Sequence, residues 1–247
     1  MLHYVRQGSG KTIVLIHGFL AGAKIFEELT SKLAAHFDVI TIDLPGHGKS
    51  KIEVKAYTVE AYAEAIIEVL KHEKVEQAIW LGHSMGGYIT LAAMGDELFP
   101  IPKAILLHSA INADTEEIKE KRTAQQIEIK KNGVDAFVKS VVPKFLAEKS
   151  PASLAEQARS IASEASIEGL VAALEAMKAR PTRESFINET STPVLIIEGA
   201  HDKVVPPINT NNEVVTKVVV DSGHLGMIED VDGVFQAIYR FLENENA

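Results

Sequence analysis

Three residues in this chain are spaced so that they could work as a nucleophile, a base and an acid. Ser84 lies in Gly82-His83-Ser84-Met85-Gly86-Gly87, after the apolar run Ala78–Leu81 and before an alanine-bearing helical pattern. A serine hydroxyl attacks a carbonyl well only when a base takes its proton, and that base needs an acid to fix its tautomer. The G-x-S-x-G spacing suits this chemistry. A serine lifted clear of a strand-to-helix turn needs a strained backbone, and side chains two residues to either side would collide there. The following helix brings its amides and positive dipole end toward a developing oxyanion. A plain helix N-cap serine is the competing reading, and the strand-turn-helix setting weighs against it.

In such a motif the acid and then the histidine follow the serine along the chain. Of nine histidines, His108, His201 and His224 lie beyond the helix that starts at the motif. His108 comes before the plausible acids, and His201 precedes its neighbour Asp202, so both break the order. His224, in the glycine-rich loop Asp221-Ser222-Gly223-His224-Leu225-Gly226, is the expected base. Asp202, in Glu198-Gly199-Ala200-His201-Asp202-Lys203, is the expected acid. Asp114 is the alternative, but it runs directly into Thr115-Glu116-Glu117 and reads as a helix cap. An oxyanion needs two donors. One is the Met85 amide, next to the serine. The other belongs to the loop His17-Gly18-Phe19-Leu20, where we expect the Phe19 amide rather than that of Leu20.

These residues need a frame that brings distant loops together. Strand-length apolar runs recur at Leu2–Val5, Ile13–Ile16, Val39–Ile42, Ala78–Leu81, Ala104–Leu107, Val194–Ile197 and Val218–Val220. Several lack polar alternation, as parallel strands covered on both faces do. Helical patterns at Ala23–His36, Val59–His72, Met85–Leu98 and Val231–Glu243 alternate with them, which predicts an α/β fold with a parallel sheet. From Ser109 to Pro193 no strand is convincing. Helices are expected there over Thr115–Lys131, Val134–Glu148, Ser153–Glu164 and Ile167–Ala179, as an insertion on the carboxyl edge of the sheet. We therefore divide the chain into a core, 1–111 with 189–247, and a helical cap, 112–188. Most apolar cap residues, among them Ile127, Val142, Leu146, Leu170, Leu174 and Met177, should pack cap on core. Phe137, Val141 and Phe145 are expected to line a substrate pocket.

Composition narrows the function classes. A net charge of −9 over 247 residues argues against nucleic-acid binding and against an anionic membrane surface. The absence of cysteine removes disulfides, thiolate metal sites and a cysteine nucleophile. Neither a signal-peptide core nor an apolar run approaching the ~18 residues of a membrane span is present, so a cytoplasmic protein is expected. Gly8-Ser9-Gly10-Lys11-Thr12 is similar to part of a phosphate-binding loop, but Val5 stands where the pattern needs glycine and a strand follows. No histidine spacing of metal-ligand type occurs, so no metal is expected.

The chain resembles the α/β-hydrolase superfamily over nearly its whole length. The resemblance rests on His17-Gly18-Phe19, Asp43-Leu44-Pro45-Gly46-His47-Gly48-Lys49-Ser50, Gly82 to Gly87, Gly199-Ala200-His201-Asp202 and Ser222-Gly223-His224. It implies an eight-stranded, mostly parallel sheet, a helical cap after the sixth strand, and no cofactor. It implies a serine hydrolase acting on a small apolar ester or acyl compound. Lactonase, carbon–carbon hydrolase, perhydrolase and lyase chemistry stay open, as does a slow-turnover small-molecule receptor. Members with an aspartate nucleophile are excluded by Ser84. Lyase members of the superfamily typically carry arginine where this chain has Tyr88, although Arg180 and Arg183 could reach in from the cap.

Overall fold

The computed structural model describes residues 1–52 and 57–243. Strands β1 (Tyr4–Gly8), β2 (Thr12–Ile16), β3 (Asp38–Ile42), β4 (Ile79–His83), β5 (Ala104–Leu107), β6 (Val194–Gly199) and β7 (Val215–Val220) form one sheet in the order β1-β3-β2-β4-β5-β6-β7. Every neighbouring pair is parallel except β1 with β3. All residues of β3, β4 and β5 are buried, so both faces of these strands are covered, which is why their sequences are continuously apolar.

Helices α1 (Glu27–Leu33), α2 (Val59–His72) and α3 (Met85–Gly95) follow β2, β3 and β4, and α9 (Gly226–Glu229) and α10 (Val231–Glu243) close the described chain. α1 packs on α10, and α2 on α3. α2 starts where its sequence says it should, because the Thr58 side chain accepts the Ala61 amide at 3.2 Å and caps the first turn. Among the described residues no helix is long and apolar enough to cross a membrane.

Five helices lie between β5 and β6: α4 (Glu116–Asn132), α5 (Val134–Val141), α6 (Ala152–Ala162), α7 (Ile167–Ala179) and α8 (Glu184–Glu189). α5 is shorter than expected. At Val142–Phe145 the chain tightens to a 3-10 turn, since Pro143 has no N–H and its ring crowds the preceding turn. α8 was not expected from the sequence. Buried residues of this stretch, including Phe137, Leu170 and Leu174, belong to the same apolar cluster as the sheet. The stretch also presses on the loops at the carboxyl edge. A Cβ on Gly46, whose φ is +76°, would come 2.3 Å from Gly169 Cα, so only glycine fits that crossing.

Two features implied by the resemblance need correction. Eight strands were expected and seven form among the described residues; the helical stretch follows the fifth of them, β5, rather than a sixth. The residues at hand offer just seven strand-length apolar runs. β1 is also displaced from Leu2–Val5 to Tyr4–Gly8. It is an edge strand with mostly exposed side chains, so its position carries little apolar signal, whereas Leu2 is buried outside the ladder.

Candidate active site

The parallel register places the ends of five adjacent strands side by side. Gly82 pairs with Ile16, His83 with Leu107, Leu107 with Ile197 and Gly199 with Val220. Phe19, Ser84, Asp202 and His224 each lie just past one of these ends. Ser84 follows β4, and its amide donates to Leu107 O at 2.9 Å. Its backbone sits at φ 49°, ψ −113°, a conformation L-residues avoid. The glycines around it are there for space: a Cβ on Gly82 would lie 2.2 Å from Gly86 O, and one on Gly86 would lie 2.2 Å from Ile16 O. The Ser109 hydroxyl donates to Ser84 O at 2.8 Å and ties the turn to the end of β5.

Ser84, His224 and Asp202 form one hydrogen-bonded chain. Ser84 Oγ is 2.9 Å from His224 Nε2, and His224 Nδ1 is 2.8 Å from Asp202 Oδ2. The other carboxylate oxygen, Oδ1, accepts the Val204 amide at 2.7 Å and the Val205 amide at 3.3 Å. Burial alone would raise the Asp202 carboxyl, but the His224 hydrogen bond and charge, with the Val204 amide, outweigh it and hold the group below the ordinary carboxylate value. An ionised Asp202 accepts the proton on His224 Nδ1, which leaves Nε2 free to accept from the serine hydroxyl.

Asp114 is not part of this chain. It is buried between Arg122 and Arg180, the latter at 2.8 Å. Nor is it the helix cap expected from the sequence: the Thr115 hydroxyl accepts the Ile118 amide and starts α4. Arg180 lies 3.9 Å over the Tyr88 ring. Arg183 pairs with Asp96 at 2.8 Å, and the exposed His201 with Asp221 at 3.0 Å.

The loop after β2 borders the serine. A Cβ on Gly18 would come 3.0 Å from Ser84 Cβ. Phe19 follows, and its ring meets the fully buried Phe137 edge-on at 6.3 Å between centroids. Leu20 takes a positive φ of 56°. Phe145 stands edge-on to the His224 ring at 5.5 Å, and its carbonyl accepts the His224 amide at 2.6 Å. Two of the three expected pocket residues thus reach site residues, whereas Val141 packs against the apolar cluster.

Sequence reasoning missed the residues that support this arrangement. His83 donates from Nε2 to His224 O at 2.8 Å. His108 Nε2 accepts the Gly226 amide at 3.2 Å, so its proton is on Nδ1, which faces Asp202 Oδ2 at 3.6 Å. His17 Nε2 accepts the Leu44 amide and its Nδ1 donates to Gly18 O, fixing the loop next to the serine. Burial holds all three neutral. It lowers His17 to about 4 and His108 to about 3, and takes His83 well below the ordinary value. His47, whose ring is 5.2 Å from that of His17, is lowered to about 3 by the same burial. Glu229 gathers donors from both sides of His224. A lone glutamate before a helix reads as surface, and no sequence signal separates it from one.

Comparison with known proteins follows the same lines. The model of the alpha/beta hydrolase family matches residues 13–237. An uncharacterized hydrolase of Bacillus subtilis is 38% identical over 109 residues, 44% of this chain and 40% of the relative. The pimeloyl-[acyl-carrier protein] methyl ester esterase of Vibrio vulnificus is 35% identical over 88 residues, 36% of this chain and 32% of the relative. The chain therefore spans two-fifths or less of the length of these curated relatives. Among solved structures, a thermophilic esterase from Thermogutta terrifontis is similar with a TM-score of 0.90 at 27% identity, covering 98% of this chain and 92% of that one. The enol-lactonase from Burkholderia xenovorans shares the fold, with a TM-score of 0.88 at 22% identity over 98% of this chain and 96% of that one.

Proposed function

Since this chain belongs to the alpha/beta hydrolase family, we propose that it is a serine hydrolase that cleaves a small carboxylic ester or related acyl compound through an acyl-enzyme. The observation that carries this reading is the Ser84–His224–Asp202 hydrogen-bond chain, with Ser84 in a strained turn at the head of α3. Ser84 Oγ attacks the carbonyl while His224 Nε2 takes its proton. Asp202 holds the histidine tautomer and stabilises the imidazolium. The Phe19 and Met85 amides receive the oxyanion. His224 returns the proton to the leaving alcohol, then activates water to release the acid. The similarity to the Thermogutta esterase and the Vibrio methyl ester esterase supports ester chemistry over the other reactions of this fold.

In this reading residues 112–188 are a lid over Ser84, and Phe137 and Phe145 form part of the acyl slot. A panel of esters of increasing acyl length tests both the chemistry and the slot. The wild type should turn over short and medium acyl esters many times. Phe145→Ala and Phe137→Ala should change the ratio of kcat/KM for two acyl lengths. If Phe137 is only core, its removal costs roughly 3–5 kcal/mol of stability with the ratio unchanged, and melting temperatures on the same variants decide between these outcomes.

The pH profile should carry a single proton. With His17, His47, His83 and His108 held neutral by burial and Asp202 held ionised, none of these five groups adds a proton to the acid limb. Log kcat/KM for a neutral ester should rise from the acid side with a slope of one, and a slope of two would bring in a second group. Stability should respond with a steeper dependence. Each of the four buried histidines has a folded value below its unfolded ~6.5, so it takes up a proton on unfolding. Their contribution is complete above pH 6.5 and is lost as pH falls, by up to about 1.4 kcal/mol per histidine per pH unit. Urea midpoints at pH 7 and pH 5 measure that loss.

A further inference from the structure

His224 is carried by a loop, yet its imidazole must stay within reach of Ser84 through two opposite proton transfers. Asp202 fixes the ring, and His83 and Phe145 hold the residue's own carbonyl and amide. The residues on either side of it are held by something else. Glu229, at the end of α9, turns its carboxylate back under this loop. Its Oε2 accepts the Gly223 amide at 3.1 Å, and its Oε1 accepts the Leu225 amide at 3.0 Å. The same Oε2 accepts the Ala147 amide at 2.8 Å and the Ser150 hydroxyl at 2.7 Å.

Four donors surround this side chain, so the site asks for an acceptor-only group with two oxygens. The donors come from two places that the chain separates widely. Two flank His224. The other two follow the 3-10 turn whose Phe145 rests against the His224 ring. The two segments touch elsewhere as well, since a Cβ on Gly223 would lie 2.5 Å from Ala147 N. Glu229 is therefore the joint between the helical stretch and the loop of the base, and charge-assisted bonds make that joint stiff.

We propose that Glu229 is a positioning residue that fixes His224 for catalysis by clasping residues 223–225 to residues 147–150. The inference rests on His224 serving Ser84 as its base. Glu229 touches neither substrate nor reacting atoms, and it acts through the orientation of His224. A glutamine at 229 would still satisfy three donors with one oxygen, but its amide N–H would then oppose the Leu225 amide. An alanine would leave all four donors unmet.

Steady-state kinetics on a neutral short-chain ester, run well below each variant's melting temperature, test the role. Glu229→Ala should lower kcat on the order of 10²-fold with KM within about twofold, the cost of a base displaced by about an ångström. Glu229→Gln should lower kcat by roughly tenfold, an intermediate loss for one of four bonds. Ser150→Ala, which removes one donor on the lid side, should have a small effect alone and none added to Glu229→Ala. Amide hydrogen exchange at Ala147, Gly223 and Leu225 should speed up together in Glu229→Ala. A lowered melting temperature with kcat unchanged would overturn the proposal and leave Glu229 a structural residue. A raised KM with kcat unchanged would also overturn it, in favour of a substrate contact. Should Glu229→Ala not fold, Glu229→Gln carries the same test, with its roughly tenfold loss in kcat again the deciding quantity. Retention of activity by Ser84→Ala would instead remove the reading on which the inference rests, and the exchange result would still report on the clasp.

Discussion

Ser84→Ala should lose turnover by a factor on the order of 10⁶, as removal of a nucleophile from a unit of this kind does. Labelling by a fluorophosphonate probe should vanish with it. The fold should survive, because the elbow is shaped by glycine contacts and by the bonds of the Ser84 amide to Leu107 O and of the Ser109 hydroxyl to Ser84 O rather than by the Ser84 hydroxyl. What alanine removes is the Oγ held 2.9 Å from His224 Nε2. Alanine keeps the strained φ of 49° that the surrounding turn imposes, so the variant should melt close to the wild type. Mass spectrometry of the labelled wild type should map the adduct to the peptide containing Ser84. An adduct on another serine, or labelling that persists in the variant, would remove Ser84 as the nucleophile and with it the proposed acyl-enzyme.

The positions of Ser84, Asp202 and His224 were readable in the sequence because each sits where a recognisable apolar strand stops and a glycine-bearing loop begins. The chemistry restricts those loops to few residue types, and chain order then separates Asp202 from Asp114 and His224 from His108. The supports were not readable. His83, His108 and His17 each use a ring nitrogen on a backbone group far away in the chain: the His224 carbonyl, the Gly226 amide and the Leu44 amide. Such pairings depend on strand register, which apolar patterning leaves undetermined to a residue. Glu229 has the same difficulty, being one acidic side chain among 34. The helices between β5 and β6 were legible in outline, with errors where a local rule won. Pro143 cut α5 short, and Asp114 proved to serve the guanidiniums of Arg122 and Arg180 rather than a helix end. The edge strand β1 was misplaced because an exposed strand owes its position to backbone pairing with β3 and not to apolar side chains.

Asp202 and Asp114 separate activity from stability, and a crossed result on the two should settle the acid. In Asp202→Asn the Val204 and Val205 amides still require an oxygen, so the new amide nitrogen is turned toward His224. Its N–H then donates to His224 Nδ1, the imidazole proton moves to Nε2, and the ring faces Ser84 with a donor where an acceptor is needed. Turnover should fall by about 10⁴ through the wrong tautomer, while the melting temperature changes little because shape and bonding on the Oδ1 side persist. Nitrogen-15 NMR of the imidazoles should show His224 changing from the Nδ1–H to the Nε2–H form. Asp114→Asn should do the reverse. Asp114 is buried between Arg122 and Arg180, and Arg180 in turn lies on Tyr88, one turn beyond Ser84 in α3. Neutralising the carboxylate leaves two guanidiniums facing each other without their shared partner, at a cost of about 3–5 kcal/mol when one member of a buried pair is lost. Turnover below the lowered melting temperature should stay within a few-fold of the wild type. If Asp114→Asn instead carries the 10⁴-fold loss and Asp202→Asn stays active, the acid lies after β5, and the hydrogen bond between Asp202 and His224 has no catalytic part.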